Sequence, residues 1–102
     1  MIVSVLYKVD PGQTFDLDYY MKKHVPLVQT LWGPCGLRGA QVLRGAGSPG
    51  GGPAAYHLMA LLDFESLDAF KAAAELHGKE VLGDIPNFTN GEPTIQFNES
   101  LM

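Results

Sequence analysis

The chain contains a single cysteine, Cys35, so it cannot form an internal disulfide. Because structural disulfides are typical of oxidising compartments, a lone cysteine favours a reducing one, and we predict a cytoplasmic protein. Cys35 lies beside Gly36 and has no base next to it in the sequence. We therefore do not predict a nucleophile at this position.

Charged residues are also scarce. They make up 18% of the chain, and seven Lys and Arg stand against eleven Asp and Glu, for a net charge of -4. A protein that follows a phosphate backbone needs an excess of basic side chains, so the composition excludes a nucleic-acid partner. A small, apolar domain with so few charges also favours a partner that covers part of its surface.

No long hydrophobic run is present. The apolar stretch from Ile2 to Tyr7 is too short for the core of a signal peptide, and no run approaches the roughly 20 residues of a membrane span. The three histidines lie far apart, without the spacing of a metal site, and no dinucleotide fingerprint occurs. We predict no metal, no cofactor and no membrane contact, in a single domain that spans 1–102.

Apolar runs, helical periodicity and breakers predict six elements in the order β-α-β-β-α-β. The strands are predicted at 2–9, 37–44, 56–64 and 94–97, with 56–64 central and 37–44 at an exposed edge. The helices are predicted at 17–32 and from Ser66 to about Gly78, followed by a further turn or short helix from Lys79 to Asp84. The Gly- and Pro-rich stretch 45–55 reads as a flexible hairpin tip to which no function is attached.

This order predicts an α+β, ferredoxin-like fold, in which two helices cover one face of a four-stranded antiparallel sheet. The strands are nevertheless apolar at both parities. A second copy packed against the open face would bury the remaining apolar side chains, so we predict a homodimer joined through its sheets. RNA-recognition domains share the element order, but this chain is acidic and lacks paired exposed aromatics.

The first helix carries the most informative pattern. Asp16 is predicted as its N-cap, and Phe15 and Tyr20 have the spacing of a hydrophobic staple. His24 lies on the apolar face one turn after Tyr20, and Pro26 predicts a kink or restart of the helix beside it. The remaining predicted members of this face are Leu17, Met21, Val28 and Leu31.

The motif Asp16-x-x-Tyr19-Tyr20-x-x-x-His24-x-Pro26 resembles the signature helix of the ethyl tert-butyl ether degradation (EthD) family. The tail Asp84-Ile85-Pro86-Asn87-Phe88, followed by Pro93 and a last strand, resembles its second hallmark. The resemblance covers essentially the whole chain. It implies the dimeric α+β barrel superfamily, in which two ferredoxin-like sheets close into a barrel.

The resemblance implies a function only in outline. Founding members support ether breakdown beside an oxidase system, which implies a partner oxidase, while relatives in the superfamily include cofactor-free monooxygenases, cyclases and isomerases. These proteins share an apolar pocket between sheet and helices, where His, Tyr or Asp move protons. Fold analogy alone selects no single reaction.

We predict His24, Tyr20 and Asp84 as the catalytic residues. A neutral imidazole exchanges protons near pH 7, a phenol binds a developing oxyanion, and a carboxylate fixes an imidazole tautomer. The structural alternatives stay open at this point. His24 would then be a core histidine bonded to a freed backbone carbonyl, and Asp84 a loop acid bonded to the amides of Asn87 and Phe88.

Five further residues are predicted to contact the substrate: Tyr7, Trp32, His57, His77 and Phe88. Core packing is the alternative for Tyr7 and helix-end packing for Trp32. For His77, the alternative is an interaction with the helix dipole before Gly78. Tyr19 is predicted to face outward or into the seam.

Two functions are compatible with these residues. The first is a cofactor-free acid–base enzyme acting on an apolar carbonyl or phenolic metabolite, or one derived from an ether, in catabolism or polyketide-type tailoring. The second is a non-catalytic accessory protein that binds an apolar small molecule or supports a partner oxidase. The sequence names neither the substrate nor the reaction.

Overall fold

A computed structural model describes all 102 residues and has the predicted element order, with one four-stranded antiparallel sheet. The strands lie side by side as β2-β3-β1-β4, which is the ferredoxin-like arrangement, so β3 and β1 are central and β2 is an edge strand as predicted. The strands are β1 (Ile2–Lys8), β2 (Leu37–Arg44), β3 (Tyr56–Phe64) and β4 (Thr94–Asn98). Helix α2 is Leu67–Gly83, and short 3₁₀ turns occupy Gly33–Cys35 and Ile85–Asn87.

Helix α1 has three consecutive segments: α-helical Leu17–Tyr19, π-helical Tyr20–His24 and α-helical Val25–Trp32. The Asp16 carboxylate accepts a hydrogen bond from the Tyr19 amide at 3.0 Å, which confirms the predicted N-cap. The rings of Phe15 and Tyr20 are 5.5 Å apart, as a hydrophobic staple requires. The first turn is therefore fixed both by its cap and by packing.

The kink or restart predicted at Pro26 takes the form of a π turn, after which a new α-helical segment begins at Val25. Proline has no amide proton, so the Lys22 carbonyl cannot receive the usual bond from the residue four positions later. The Val25 amide donates to the Tyr20 carbonyl, five residues back, and the helix continues without a break. Such one-residue bulges are frequent at functional sites.

Helix α2 begins where predicted and ends later than predicted. Ser66 caps it by accepting from the Ala69 amide at 3.0 Å. Gly78 does not end the helix, which runs on to Gly83. Gly78 is buried inside the helix. No helix in the structure is long and apolar enough to cross a membrane.

Both helices cover the sheet face that carries Val3 and Tyr7 of β1 and Leu58 and Leu62 of β3. Two groups of buried side chains lie on this face. The tryptophan core contains Val3, Val28, Trp32, Ala60, Leu62, Phe64, Ala73 and Val81. The tyrosine core contains Tyr7, Tyr20, Leu58 and Phe88.

The opposite sheet face has no helix over it. Leu6, Met59 and Leu43 are aligned across three strands there, and Leu43 is 39% exposed. The hairpin tip joining β2 to β3 is more ordered than predicted, because the Ser48 amide donates to the Gly52 carbonyl at 3.1 Å and the Gly51 amide to the Ser48 carbonyl at 3.0 Å.

Candidate functional site

The segment that follows α2 is bonded to the start of α1. The Asp16 amide donates to the Phe88 carbonyl at 2.7 Å, and the Thr89 hydroxyl donates to the Thr14 carbonyl at 2.6 Å. Phe15 and Thr89 also form an isolated antiparallel bridge. These bonds bring the two sequence motifs into one site, although His24 and Asp84 are 60 residues apart along the chain.

The π turn decides which residues of α1 face that site. The four buried residues of the helix, Tyr20, His24, Val28 and Trp32, have a strict spacing of four. In a regular α-helix this spacing drifts by about 40° at each step, because each residue turns the helix by about 100°. The π turn spans Tyr20–His24 and counters that drift at the step where the phenol and imidazole rings stack. Met21, predicted on this face, is instead 46% exposed.

The Asp84 carboxylate lies at the centre of a polar network. One oxygen, Oδ1, accepts from the Tyr19 hydroxyl at 2.6 Å and from the Asn87 side-chain amide at 2.9 Å. The other, Oδ2, lies 2.9 Å from Nδ1 of His24. Of the two alternatives for Asp84, the structure has the contact with the imidazole. His24 itself bonds a carboxylate and not a backbone carbonyl.

The network fixes the protonation states of both partners. Burial raises the pKa of Asp84, but hydrogen bonds from Tyr19, Asn87 and His24 outweigh burial and hold that pKa below its usual value. Burial lowers the pKa of His24, and the neighbouring carboxylate only partly opposes this. At neutral pH, Asp84 is therefore ionised and His24 neutral. Since a carboxylate only accepts, Nδ1 carries the proton and Nε2 has a free lone pair.

Aromatic rings hold the imidazole in place. His24 is 5% exposed, and its ring stacks on Tyr20 with centroids 5.3 Å apart and planes 28° apart. The Phe88 ring packs against it at 4.7 Å. These contacts and the hydrogen bond to Asp84 restrict the imidazole ring to a single orientation, in which Nε2 is directed away from the carboxylate.

A cavity lies between the sheet and the helices, and His24 is one of its 18 lining residues. Sixteen of these are hydrophobic, so the imidazole and Gln29 are the polar groups that a ligand would meet, apart from tyrosine hydroxyls. Water-molecule centres can reach about 60 Å³ of the cavity. One water needs about 10–15 Å³ of such space, so the cavity fits a small organic molecule.

Tyr7 and Tyr20 both line this cavity, and neither hydroxyl has a hydrogen-bond partner in the protein. Every side-chain nitrogen or oxygen that is sealed from solvent does have a partner. The two hydroxyls, like Nε2 of His24, therefore reach the open space of the cavity. Burial raises the pKa of Tyr20 to about 12 and raises that of Tyr7 further, so both remain protonated donors.

Two predicted substrate contacts lie elsewhere. His57 is exposed and packs on the Phe15 ring at 5.0 Å, because its strand directs it away from the cavity. His77 is half-buried on α2 and lies 3.4 Å from Glu80, one turn later. Neither lines the cavity. Trp32 does, but its indole nitrogen already donates to the Ala73 carbonyl at 3.0 Å. Phe88 supports the imidazole from outside the cavity lining.

Two residues of the site were not predicted. Tyr19 was expected to face outward, but the π turn and the docked tail place its hydroxyl on Asp84. Asn87 lies three residues after Asp84, and its side-chain amide bonds back to the Asp84 carboxylate. Asx side chains often make such local bonds in turns, so this spacing was the sequence signal that could have predicted Asn87. No three His, Cys, Asp or Glu side chains lie close enough together to hold a metal ion.

Searches for relatives gave two informative solved structures. No protein-family model and no curated protein matches the sequence. The crystal structure of an EthD-like protein from Ralstonia eutropha JMP134 is similar, with a TM-score of 0.90 and 36% identity over 99% of this chain and 91% of that one. An EthD family protein from Bacillus halodurans C-125 shares the fold, with a TM-score of 0.64 and 21% identity over 96% of this chain and 97% of that one. The first similarity, over nearly the full length of both chains, shows that this chain belongs to the ethyl tert-butyl ether degradation (EthD) family.

Proposed function

We propose that the protein is a cofactor-free acid–base enzyme that acts on a small apolar carbonyl or phenolic compound, in catabolism or polyketide-type tailoring. One observation carries the proposal: the imidazole of His24 bonds an ionised carboxylate through Nδ1, while Nε2 opens onto an apolar cavity. This is the arrangement of a general base whose tautomer is fixed by an acid.

The roles follow from the geometry. Nε2 of His24 takes a proton from the substrate, and Asp84 stabilises the imidazolium that forms. Tyr20, stacked on the imidazole, donates to the substrate oxygen as that oxygen gains charge. Tyr19 and Asn87 act as positioning residues, because they occupy Oδ1 of Asp84 and leave Oδ2 for the imidazole. The rings of Tyr20 and Phe88 form an aromatic wall beside the imidazole. This wall limits contact with water, which strengthens each of these interactions.

A proton-exchange assay tests the proposal. The protein is incubated in D₂O with a panel of apolar ketones, enones, phenols and β-keto acids, and exchange of the acidic C–H is followed by NMR. We expect exchange with one class of compound, and we expect His24→Gln to slow it by about 10²–10⁴-fold. His57→Gln is the matched control, because it removes an imidazole outside the cavity. Equal rates in His24→Gln and wild type would refute the proposal.

A second candidate is a non-catalytic protein that binds an apolar metabolite, alone or beside a partner oxidase. The nearly all-hydrophobic lining of the cavity favours it. It predicts ligand-induced shifts of the His24 ring resonances without any exchange or turnover. It also predicts that His24→Phe leaves the role of the protein unchanged, whereas the enzymatic proposal predicts that this variant loses proton exchange.

We also propose that the open sheet face is covered by a second copy of the chain. An apolar row on this face consists of Leu6, Met59 and Leu43. Only 16 of the 102 residues are buried in one copy, so much apolar surface is left for a partner. Sedimentation equilibrium tests this, with a dimeric mass expected. A cytoplasmic location stays a prediction that fractionation of cells would check.

A further inference from the structure

Tyr7 is the most enclosed polar side chain of the cavity. It projects from β1 and is 1% exposed. Three rings meet it nearly edge-on, those of Phe15 at 5.3 Å, Phe88 at 5.8 Å and Tyr20 at 6.2 Å. Packing on all these sides fixes the ring, so the direction of its hydroxyl is set before a ligand enters.

The unpaired hydroxyl of Tyr7 is exceptional within this structure. Other polar groups buried in the fold have partners: the Trp32 indole donates to Ala73, the Thr89 hydroxyl to Thr14, and the Ser4 hydroxyl accepts from Asn98. A hydroxyl that opens onto the cavity without a protein acceptor makes no hydrogen bond that stabilises the fold, and phenylalanine would fill the same space equally well. A hydroxyl kept under these conditions is explained by an acceptor that arrives with the ligand.

The Tyr20 hydroxyl is in the same situation and lines the same cavity, and Tyr20 is 3% exposed. The rings of Tyr7 and Tyr20 have their centroids 6.2 Å apart, so the two phenols lie side by side at the cavity. The cavity therefore presents two donors, Tyr7 and Tyr20, and one acceptor, Nε2 of His24. Neither of the two hydroxyls nor Nε2 has a hydrogen-bond partner within the protein.

We infer that the hydroxyls of Tyr7 and Tyr20 together hold one oxygen atom of the ligand, and that the substrate is a carbonyl compound with an acidic C–H beside that oxygen. This inference deepens the proposed function and rests on it. Core packing was the alternative role for Tyr7. In this inference, Tyr7 is an oxygen-binding residue supplied by the sheet, and Tyr20 is the one supplied by α1.

The step balances without any co-reactant. The C–H bond next to the carbonyl breaks, and its proton goes to Nε2 of His24. Its electron pair forms a carbon–carbon double bond, while the π pair of the carbonyl moves onto the oxygen. The resulting enolate oxygen accepts from both phenols, and the proton returns from Nε2 to carbon or oxygen. An ether oxygen gains no charge in such a step, so the two donors favour carbonyl compounds over ethers.

Binding of 4-nitrophenol tests the inference, because its anion mimics an enolate and absorbs differently from the neutral phenol. At a pH where both forms are present, we expect wild type to bind the anion preferentially. Tyr7→Phe and Tyr20→Phe should each weaken anion binding by about 10–100-fold, the usual effect of losing one hydrogen bond to a charged group. Tyr56→Phe, which removes a hydroxyl outside this cavity, is the matched control and should bind as wild type does.

Three results would overturn the inference: binding by Tyr7→Phe equal to wild type, preference of wild type for the neutral phenol, or no binding at all. Low-field proton NMR of the wild-type complex gives a second measurement that does not depend on the stability of a variant, since two new hydroxyl resonances are expected. His24→Gln separates this inference from the proposed function. It should retain anion binding, which needs no proton removal, and lose only proton exchange.

Discussion

The tryptophan core and the tyrosine core use the same helix α1 and the same two central strands, yet they differ in how their polar atoms are treated. In the tryptophan core the one indole nitrogen donates to the Ala73 carbonyl, and the rest is hydrocarbon. In the tyrosine core the hydroxyls of Tyr7 and Tyr20 have no protein partner and face a cavity.

Both cores line the cavity. The lining includes six residues of the tryptophan core and two of the tyrosine core, which are Val3, Val28, Trp32, Ala60, Leu62, Val81, Tyr7 and Tyr20. The cores therefore differ in the polar groups that they offer to the cavity, because the indole is already hydrogen-bonded within the fold and the two phenols are not. We propose that the phenols are the groups that a ligand meets.

The largest effect is expected for Phe64→Ala in the tryptophan core. Phe64 is completely buried, so the change leaves a cavity and should lower the free energy of unfolding by about 3–5 kcal/mol. Urea denaturation measures this, with Leu43→Ala on the open sheet face as a milder control. Because Phe64 lies outside the tyrosine core, the His24 ring resonances should stay unchanged in the folded fraction. A shifted ring would show that the two cores are coupled.

A smaller effect is expected from a pair of changes that each remove one polar group from an aromatic ring. Trp32→Phe loses volume and a buried hydrogen bond, so it should cost about 1–3 kcal/mol. Tyr7→Phe loses no protein hydrogen bond, so its stability should stay within about 0.5 kcal/mol of wild type or rise. Thermal and urea unfolding compare the two. A Tyr7→Phe loss as large as that of Trp32→Phe would remove the distinction between the cores.

The smallest effect concerns pH. Burial lowers the pKa of His24 in the folded state from its ordinary 6.5, and the neighbouring Asp84 carboxylate only partly opposes this. The imidazole is therefore protonated more readily in the unfolded chain than in the folded one. The stabilising contribution is therefore complete above pH 6.5 and is lost as pH falls from 6.5 to the folded pKa. The loss cannot exceed about 1.4 kcal/mol per pH unit. Asp84, with a pKa lowered from 3.8, adds a separate loss below that pH.

Urea titrations of wild type and His24→Gln between pH 7.5 and 5 measure the pH-dependent contribution of His24 to the free energy of unfolding. The variant should lack the acid-induced loss that begins near pH 6.5, whereas His57→Gln should keep it. Equal pH profiles for wild type and His24→Gln would show that the imidazole is hydrated, and so not part of the aromatic wall.

The fold was predictable because its signals are local. Apolar runs between Gly- and Pro-rich breakers located β2 and β3 to the residue, and side-chain oxygens of Asp16 and Ser66 marked both helix starts. The end of α2 was missed because Gly78 weakens a helix only by its intrinsic propensity, and burial on the sheet side overcame that.

The site was predictable in part. His24 and Asp84 stood out as titratable groups inside apolar segments, and the structure joins them. His57 and His77 carried the same kind of signal but are directed away from the cavity by strand and helix geometry that no local pattern specifies. Tyr19 was misplaced because its orientation depends on the π turn and on a tail 65 residues away.

The π turn also makes chain length informative across the family. A turn closed five residues back contains one residue more than an α-helical turn, so it behaves as a single-residue insertion in an otherwise regular helix. A relative that has one residue fewer between its helix cap and its histidine would keep caps, sheet and hydrophobic composition. It would not present the two tyrosines and the imidazole in the same relative positions. Counting that interval in a homologous gene thus sorts relatives that can hold the Asp84-bonded histidine from those that retain only the scaffold.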